Sequence, residues 1–144
     1  MLVDGLGQAR LTDYGLAPIN IRFIGNESTT ENVRGFAPEI IKPAPGSPVT
    51  AYESKPADIF AFAMLANEIL SGRKPFEGHG GPKIVDMIFR GERPGFPQNA
   101  ADAHLTIEMQ EFIQRCWDSD PKKRPKIDEV VRTCEGLVRN NEYM

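Results

Sequence analysis

Positive charge is what this chain has in short supply: 17 Lys and Arg stand against 20 Asp and Glu, for a formal net charge of −3. A nucleic-acid footprint needs a strong basic excess, so polynucleotide binding is not expected. Cysteine is scarce as well. Cys116 and Cys134 are the only two, with no histidine or further cysteine at metal-ligand spacing. That excludes a cysteine-rich zinc site and a disulfide-stapled scaffold, and leaves two thiols in apolar helical patterns, where buried free cysteines are common. Histidine occurs twice, His79 among glycines and His104 ahead of a helix start. Neither has a nucleophile close by in sequence, so both read as surface residues. Long apolar runs are missing too. The most apolar stretch, Ile59 to Leu70, contains Asn67 and Glu68 and is too short to span a bilayer. Met1 leads straight into a strand-like segment with no secretory pattern. The expectation is an intracellular, cytoplasmic protein with no membrane and no nucleic-acid partner.

What is present is one domain's worth of chain, 144 residues with 40% hydrophobic content, enough for a real core. Leu2-Val3 and Ala9 to Leu11 flank Asp4-Gly5-Leu6-Gly7-Gln8, which reads as a small hairpin with glycines at its turn. Residues 16–36 carry no sustained period and read as a loop. Lys42 to Ser54 reads as a second loop, because Pro43, Pro45, Gly46 and Pro48 fit neither helix nor central strand.

Four helices follow. Ser54 caps the first, Pro56 is tolerated in its first turn, and Gly72 stops it after Ser71. Its apolar residues, Ile59, Phe60, Phe62, Met64, Leu65, Ile69 and Leu70, cover nearly the whole circumference, so it should be surrounded by other protein. The second, about Pro82 to Arg90, pairs Ile84 with Ile88 and Val85 with Phe89. Thr106 is positioned to cap the third, with Met109, Phe112, Ile113, Cys116 and Trp117 inward. The fourth, about Ile127 to Arg139, should turn Ile127, Val130, Val131, Cys134, Leu137 and Val138 inward. The expected fold class is mainly α with a small β-hairpin.

Against this frame stand motifs in a fixed order. Asp13-Tyr14-Gly15 comes first and Ala37-Pro38-Glu39 second. Lys55-Pro56-Ala57-Asp58-Ile59-Phe60-Ala61-Phe62 opens the apolar helix, and Glu68-Ile69-Leu70-Ser71-Gly72-Arg73-Lys74-Pro75-Phe76 closes it. Arg115-Cys116-Trp117, Asp120-Pro121 and Lys123-Arg124-Pro125 follow near the end. Any one triplet recurs by chance; the ordered set is specific. It resembles the protein-kinase catalytic domain from the D-F-G motif onward, with Tyr in place of Phe, through the A-P-E motif to the last helices. The Cys-Trp pair resembles the tyrosine-kinase and tyrosine-kinase-like branches. The resemblance implies a C-terminal lobe of the protein-kinase-like α+β fold over residues 1–144, with an activation segment at 13–39 and lobe helices over 54–139.

The resemblance also implies roles. Asp13 matches the metal-binding aspartate, a hard carboxylate suited to Mg²⁺ bridging ATP phosphates. A turn aspartate ahead of Gly15 is the plainer alternative. Glu39 and Arg124 match a buried ion pair tying the end of the activation segment to the last helices. Asp58 matches an aspartate that accepts backbone hydrogen bonds from the catalytic loop, a loop not found in these residues. Ser28, Thr29 and Thr30 sit where such proteins are often phosphorylated, with Arg22 and Arg34 the nearby cations to answer a phosphate. A solvated polar loop explains the same three residues. Asn32 and Gly35 depart from the pattern before Ala37, where a hydroxyl and an aromatic are usual. Lys126 stands where a capping Ser or Thr is usual, three residues before Glu129.

ATP and Mg²⁺ as cofactors, and a protein substrate or partner, follow from the same resemblance. Phosphoryl transfer, however, needs a glycine-rich loop, a strand lysine with its helix glutamate, and a catalytic-loop aspartate and asparagine. None can be placed in residues 1–144. Gly5-Leu6-Gly7-Gln8-Ala9-Arg10 begins like a nucleotide loop but ends in Arg inside a tight hairpin. The chain taken alone is therefore expected to bind no ATP and to be inactive. It reads as part of an ATP-dependent kinase acting on protein Ser/Thr or Tyr, begun at an internal Met. The alternatives are a truncated pseudokinase serving as a non-catalytic interaction module, and a degenerate product that does not fold.

Overall fold

A computed structural model describes residues 2–10, 33–42, 45, 54–96 and 107–141. Two short strands, β1 (Leu2–Val3) and β2 (Ala9–Arg10), pair antiparallel, with Leu2 opposite Arg10 and Val3 opposite Ala9. Gly7 takes a φ of 78°, the left-handed conformation the turn needs. Asp4 does the rest. Its carboxylate accepts the N–H groups of Leu6 and Gln8 at 2.9 Å each and the Arg10 Nε–H at 2.9 Å. The Gln8 N–H first, and Arg10 second, hold the Asp4 carboxyl below its ordinary range.

Helix α1 (Pro38–Ile41) is a single turn begun by a proline, whose missing N–H is no loss in a first turn. Helix α2 (Lys55–Ser71) is bounded as its sequence dictates. The Ser54 Oγ accepts the Ala57 N–H at 3.2 Å, and Gly72, at φ 65°, donates its N–H to the Glu68 carbonyl. Helices α3 (Gly81–Phe89), α4 (Ile107–Cys116) and α5 (Ile127–Asn141) complete the described elements. The expected Thr106 cap lies outside the described residues.

The core sits around α2. Phe60, Met64, Ile84, Ile88, Ile113 and Cys116 are its largest fully buried side chains, with Asn67 buried beside them. Helix α4 packs against α2, with the Phe62 and Phe112 rings edge to face at 6.4 Å, and α1 packs against α3. Ile84 and Ile88 are both wholly buried, whereas Phe89 is exposed. Helix α2 is not enclosed on every side: Leu65 and Ile69, one turn apart, form an exposed apolar strip.

Helix α5 departs from the expected face. Val130 is buried and Cys134 packs on the core, but Ile127 and Val131 are exposed. At 3.6 residues per turn, Ile127 lies about 60° and Val131 about 100° round the helix from Val130 in the same direction, so the two share one edge of the stripe. The apolar stripe is wider than the surface α5 docks on. None of the helices among the described residues is long and apolar enough to cross a membrane.

Lys126 occupies the cap position of α5, its carbonyl accepting the Glu129 and Val130 N–H groups at 2.9 and 3.0 Å. The lysine side chain offers no acceptor to the first turn and sets a cation against the positive helix end. Lys126→Ser is expected to raise stability by about 0.5–2 kcal/mol. An unchanged midpoint of urea unfolding would refute the cap assignment.

Candidate functional site

Arg124 lies on the connection between α4 and α5, and its side chain is wholly excluded from solvent. Its guanidinium fork meets Glu39 of α1 with both prongs, Nη1 to Oε1 at 2.6 Å and Nη2 to Oε2 at 2.9 Å. Nη1 also donates to the Pro56 carbonyl at 2.8 Å, and Nε to the Asp118 carbonyl at 2.8 Å. One side chain thus joins α1, the first turn of α2 and the segment after α4. Pro38 starts the turn that presents Glu39, and Pro125 follows the arginine. Two-pronged arginine–carboxylate pairs fix orientation as well as supplying energy.

Beneath this pair lies Phe60, wholly buried in α2. The Arg124 guanidinium carbon sits 5.0 Å from its ring centroid, and that of Arg93 sits 5.1 Å away. Arg93 donates from Nε to the Trp117 carbonyl (2.9 Å), from Nη1 to the Ile88 and Glu92 carbonyls (3.2 and 2.8 Å), and from Nη2 to Ser119 Oγ (2.9 Å). Burial, and after it the charge of Arg124, pull the Arg93 guanidinium below its ordinary pKa. Sequence reading missed Arg93. An arginine that satisfies backbone carbonyls leaves no spacing pattern to find.

Arg34, a candidate to answer a phosphate on the preceding loop, extends its guanidinium to the loop after α2, while the hydroxyls it would answer lie outside the described residues. Nη1 donates to the carbonyls of Pro75 and Phe76, the latter at 2.9 Å, and Nη2 to the His79 carbonyl at 3.2 Å. Asp58 sits in the first turn of α2, exposed, and among the described residues no hydrogen bond reaches its carboxylate. Partial burial pushes its carboxyl above the ordinary range. Asp13, Ser28, Thr29, Thr30 and Arg22 lie outside the described residues. His79 is exposed.

The two cysteines are free thiols, Cys116 buried and Cys134 half-buried. Burial above all pushes the Cys116 thiol up to about 12, from an ordinary 9.0. Neutral Cys116 is favoured by the fold, so its contribution holds below pH 9.0 and is lost as pH rises towards 12. At neutral pH it carries almost no thiolate and is not a nucleophile. A chromogenic disulfide reagent should modify Cys134 first and Cys116 only on unfolding in urea. Equal native rates would overturn the burial of Cys116.

Among the described residues no three His, Cys, Asp or Glu side chains converge to hold a metal ion. What the described geometry provides is a structural clamp: a buried ion pair, a shared aromatic ring, and a second arginine bound to carbonyls.

Comparison with known proteins agrees with the order of motifs. The sequence profile of the family described as protein tyrosine and serine/threonine kinase matches residues 1–134. Mitogen-activated protein kinase kinase kinase 7 of Homo sapiens is 30% identical over 142 residues, covering 96% of this chain and 21% of its own length. Atrial natriuretic peptide receptor 2 of Rattus norvegicus is 30% identical over 144 residues, 96% of this chain and 13% of the receptor. The probable serine/threonine-protein kinase drkD of Dictyostelium discoideum is 29% identical over 139 residues, 96% and 10% respectively. The chain thus spans about a fifth or less of the length of these curated relatives.

Proposed function

The chain belongs to the protein tyrosine and serine/threonine kinase family, and from that premise we propose that residues 1–144 are the helical-lobe portion of an ATP-dependent protein kinase, without a catalytic apparatus of their own. The observation that carries this is the Glu39–Arg124 clamp, which fastens Ala37-Pro38-Glu39 to the helices behind it. In a working kinase, an activation segment anchored at that end would present protein Ser/Thr or Tyr to the phosphoryl donor. Asp13 would be the carboxylate that holds Mg²⁺, Asp58 the acceptor for catalytic-loop N–H groups, and Ser28, Thr29 and Thr30 the modifiable hydroxyls.

The Mg²⁺–ATP requirement does not fit the residues in hand. A Mg²⁺ bound to nucleotide takes one or two carboxylates together with the phosphates, and the phosphates themselves need a covering loop and a lysine. Asp13 is one ligand of such a set, and no step is derived through the ion. The chain alone is expected to incorporate no labelled phosphate into protein substrates, and Mg²⁺–ATP titration should give no saturable micromolar binding. Such binding would overturn the proposal.

A second reading is favoured by one observation, the exposed apolar strips Leu65/Ile69 on α2 and Ile127/Val131 on α5. Surfaces of this kind suit a non-catalytic interaction module. The nucleotide sequence upstream of Met1 discriminates: an in-frame H-x-D-x-x-x-x-N supports the kinase reading, and a stop codon supports the module.

A further inference from the structure

Behind the clamp, the C-terminal end of α2, the 73–79 loop, α3 and the 93–96 segment enclose a cleft of about 720 Å³, within the range of ligand sites. We propose that this cleft docks an acidic peptide segment of a partner protein, one carrying an apolar anchor residue. Nothing in the proposal depends on phosphoryl transfer, because no residue of the cleft has a part in it.

Charge comes first. Arg73, Lys74 and Arg93 line the cleft against a single carboxylate, Glu77. The chain as a whole is acidic, at −3, so this cationic excess is local. Arg93 gives its hydrogen bonds to three carbonyls and a hydroxyl, all neutral acceptors, and the carboxylate whose charge acts on it, Asp118, does not line the cleft. Charge of one sign in a concave, partly desolvated wall concentrates potential for an oppositely charged ligand.

The apolar floor narrows the ligand class. Phe76, Met87 and Phe96 contribute to the lining, and Phe96 is held in place by stacking on Trp117 at 5.5 Å. A bare anion would leave that surface unused; a Leu or Phe beside glutamates would cover it.

The loop is also fixed in advance. Phe76 holds a φ of 55°, rare for a residue with a side chain, and its carbonyl and those of Pro75 and His79 are tied down by Arg34. Backbone strain held by surrounding bonds concentrates at binding sites, and a wall already in place lowers the ordering cost of association.

The test uses the whole chain and a fluorescein-labelled peptide of glutamates ending in Leu-Phe, with a lysine counterpart as control, read by anisotropy. Saturable binding of the acidic peptide alone is expected, weakening as salt rises. Reversing the exposed rim in Arg73→Glu/Lys74→Glu should weaken it by about tenfold or more, and Glu77→Lys should tighten it. Met87→Ser should weaken it without changing the salt dependence. Circular dichroism confirms that each variant is folded. No binding, equal binding of the lysine peptide, or indifference to both charge changes would overturn the proposal. Displacement by inorganic phosphate as effective as by unlabelled peptide, at matched ionic strength, would reduce the cleft to an anion hole and overturn it too.

Discussion

Arg124→Met should destabilise the chain by about 3–5 kcal/mol, the range for breaking a buried ion pair from one side. The loss has separate sources. Glu39 keeps a charge that is only 25% exposed, against 0% for the arginine side chain. The Pro56 and Asp118 carbonyls each lose a donor at 2.8 Å, and Phe60 loses a cation at 5.0 Å. Methionine fills most of the volume, so the change reports polar loss rather than a cavity. Glu39→Gln leaves the wholly buried guanidinium without a counter-charge but keeps a hydrogen-bond acceptor. In a double-mutant cycle followed by urea denaturation, the double variant should lose clearly less than the sum of the singles. Near-additive losses would sink the pairing. Arg124→Lys should fall between, since an ammonium keeps the charge but cannot reproduce the fork.

The clamp also marks where sequence reading reaches its limit. Its two ends lie 85 residues apart, and no periodicity or spacing links them; only the resemblance of Ala37-Pro38-Glu39 and Lys123-Arg124-Pro125 to a known family did. Local signals carried further on their own. The Ser54 cap and the Gly72 stop were legible because the physics of a helix end involves only residues within a turn of it. The single turn α1 passed unassigned, since four residues are too few to show a helical period. Ile127 and Val131 were placed inward because amphipathicity gives a stripe's direction and not how much of it a neighbour covers. Arg93, and the acceptors that Arg34 reaches, were invisible for a different reason. Both arginines serve backbone carbonyls, and carbonyls have no sequence. The residues that read most like chemistry, Asp13 above all, lie outside the described residues, whereas the described site is built from arginines and an aromatic ring.

Phe60→Ala should cost about 3–5 kcal/mol, a large share of the roughly 5–15 kcal/mol that keeps a domain folded. The larger part is an ordinary core effect. A wholly buried ring is removed from the centre of α2, beside Met64 and Ile113 in the same core, and a void remains. The rest is electrostatic. Arg93 and Arg124 both lie within about 5 Å of the ring centroid, so their like charges repel; burial first, and the charge of Arg124 after it, lower the Arg93 pKa. The negative face of an aromatic ring offsets part of that repulsion, by about 0.5–2 kcal/mol per cation. Phe60→Leu separates the two parts, because leucine keeps much of the apolar volume but has no ring quadrupole. It should lose about 1–3 kcal/mol, and that loss should shrink when Arg93 is also replaced by Met. A Leu variant as stable as the parent would show that the ring acts here only as volume. A Leu loss unchanged by the Arg93 replacement would show that the arginine is held by its carbonyls alone, with no contribution from the aromatic face beside it.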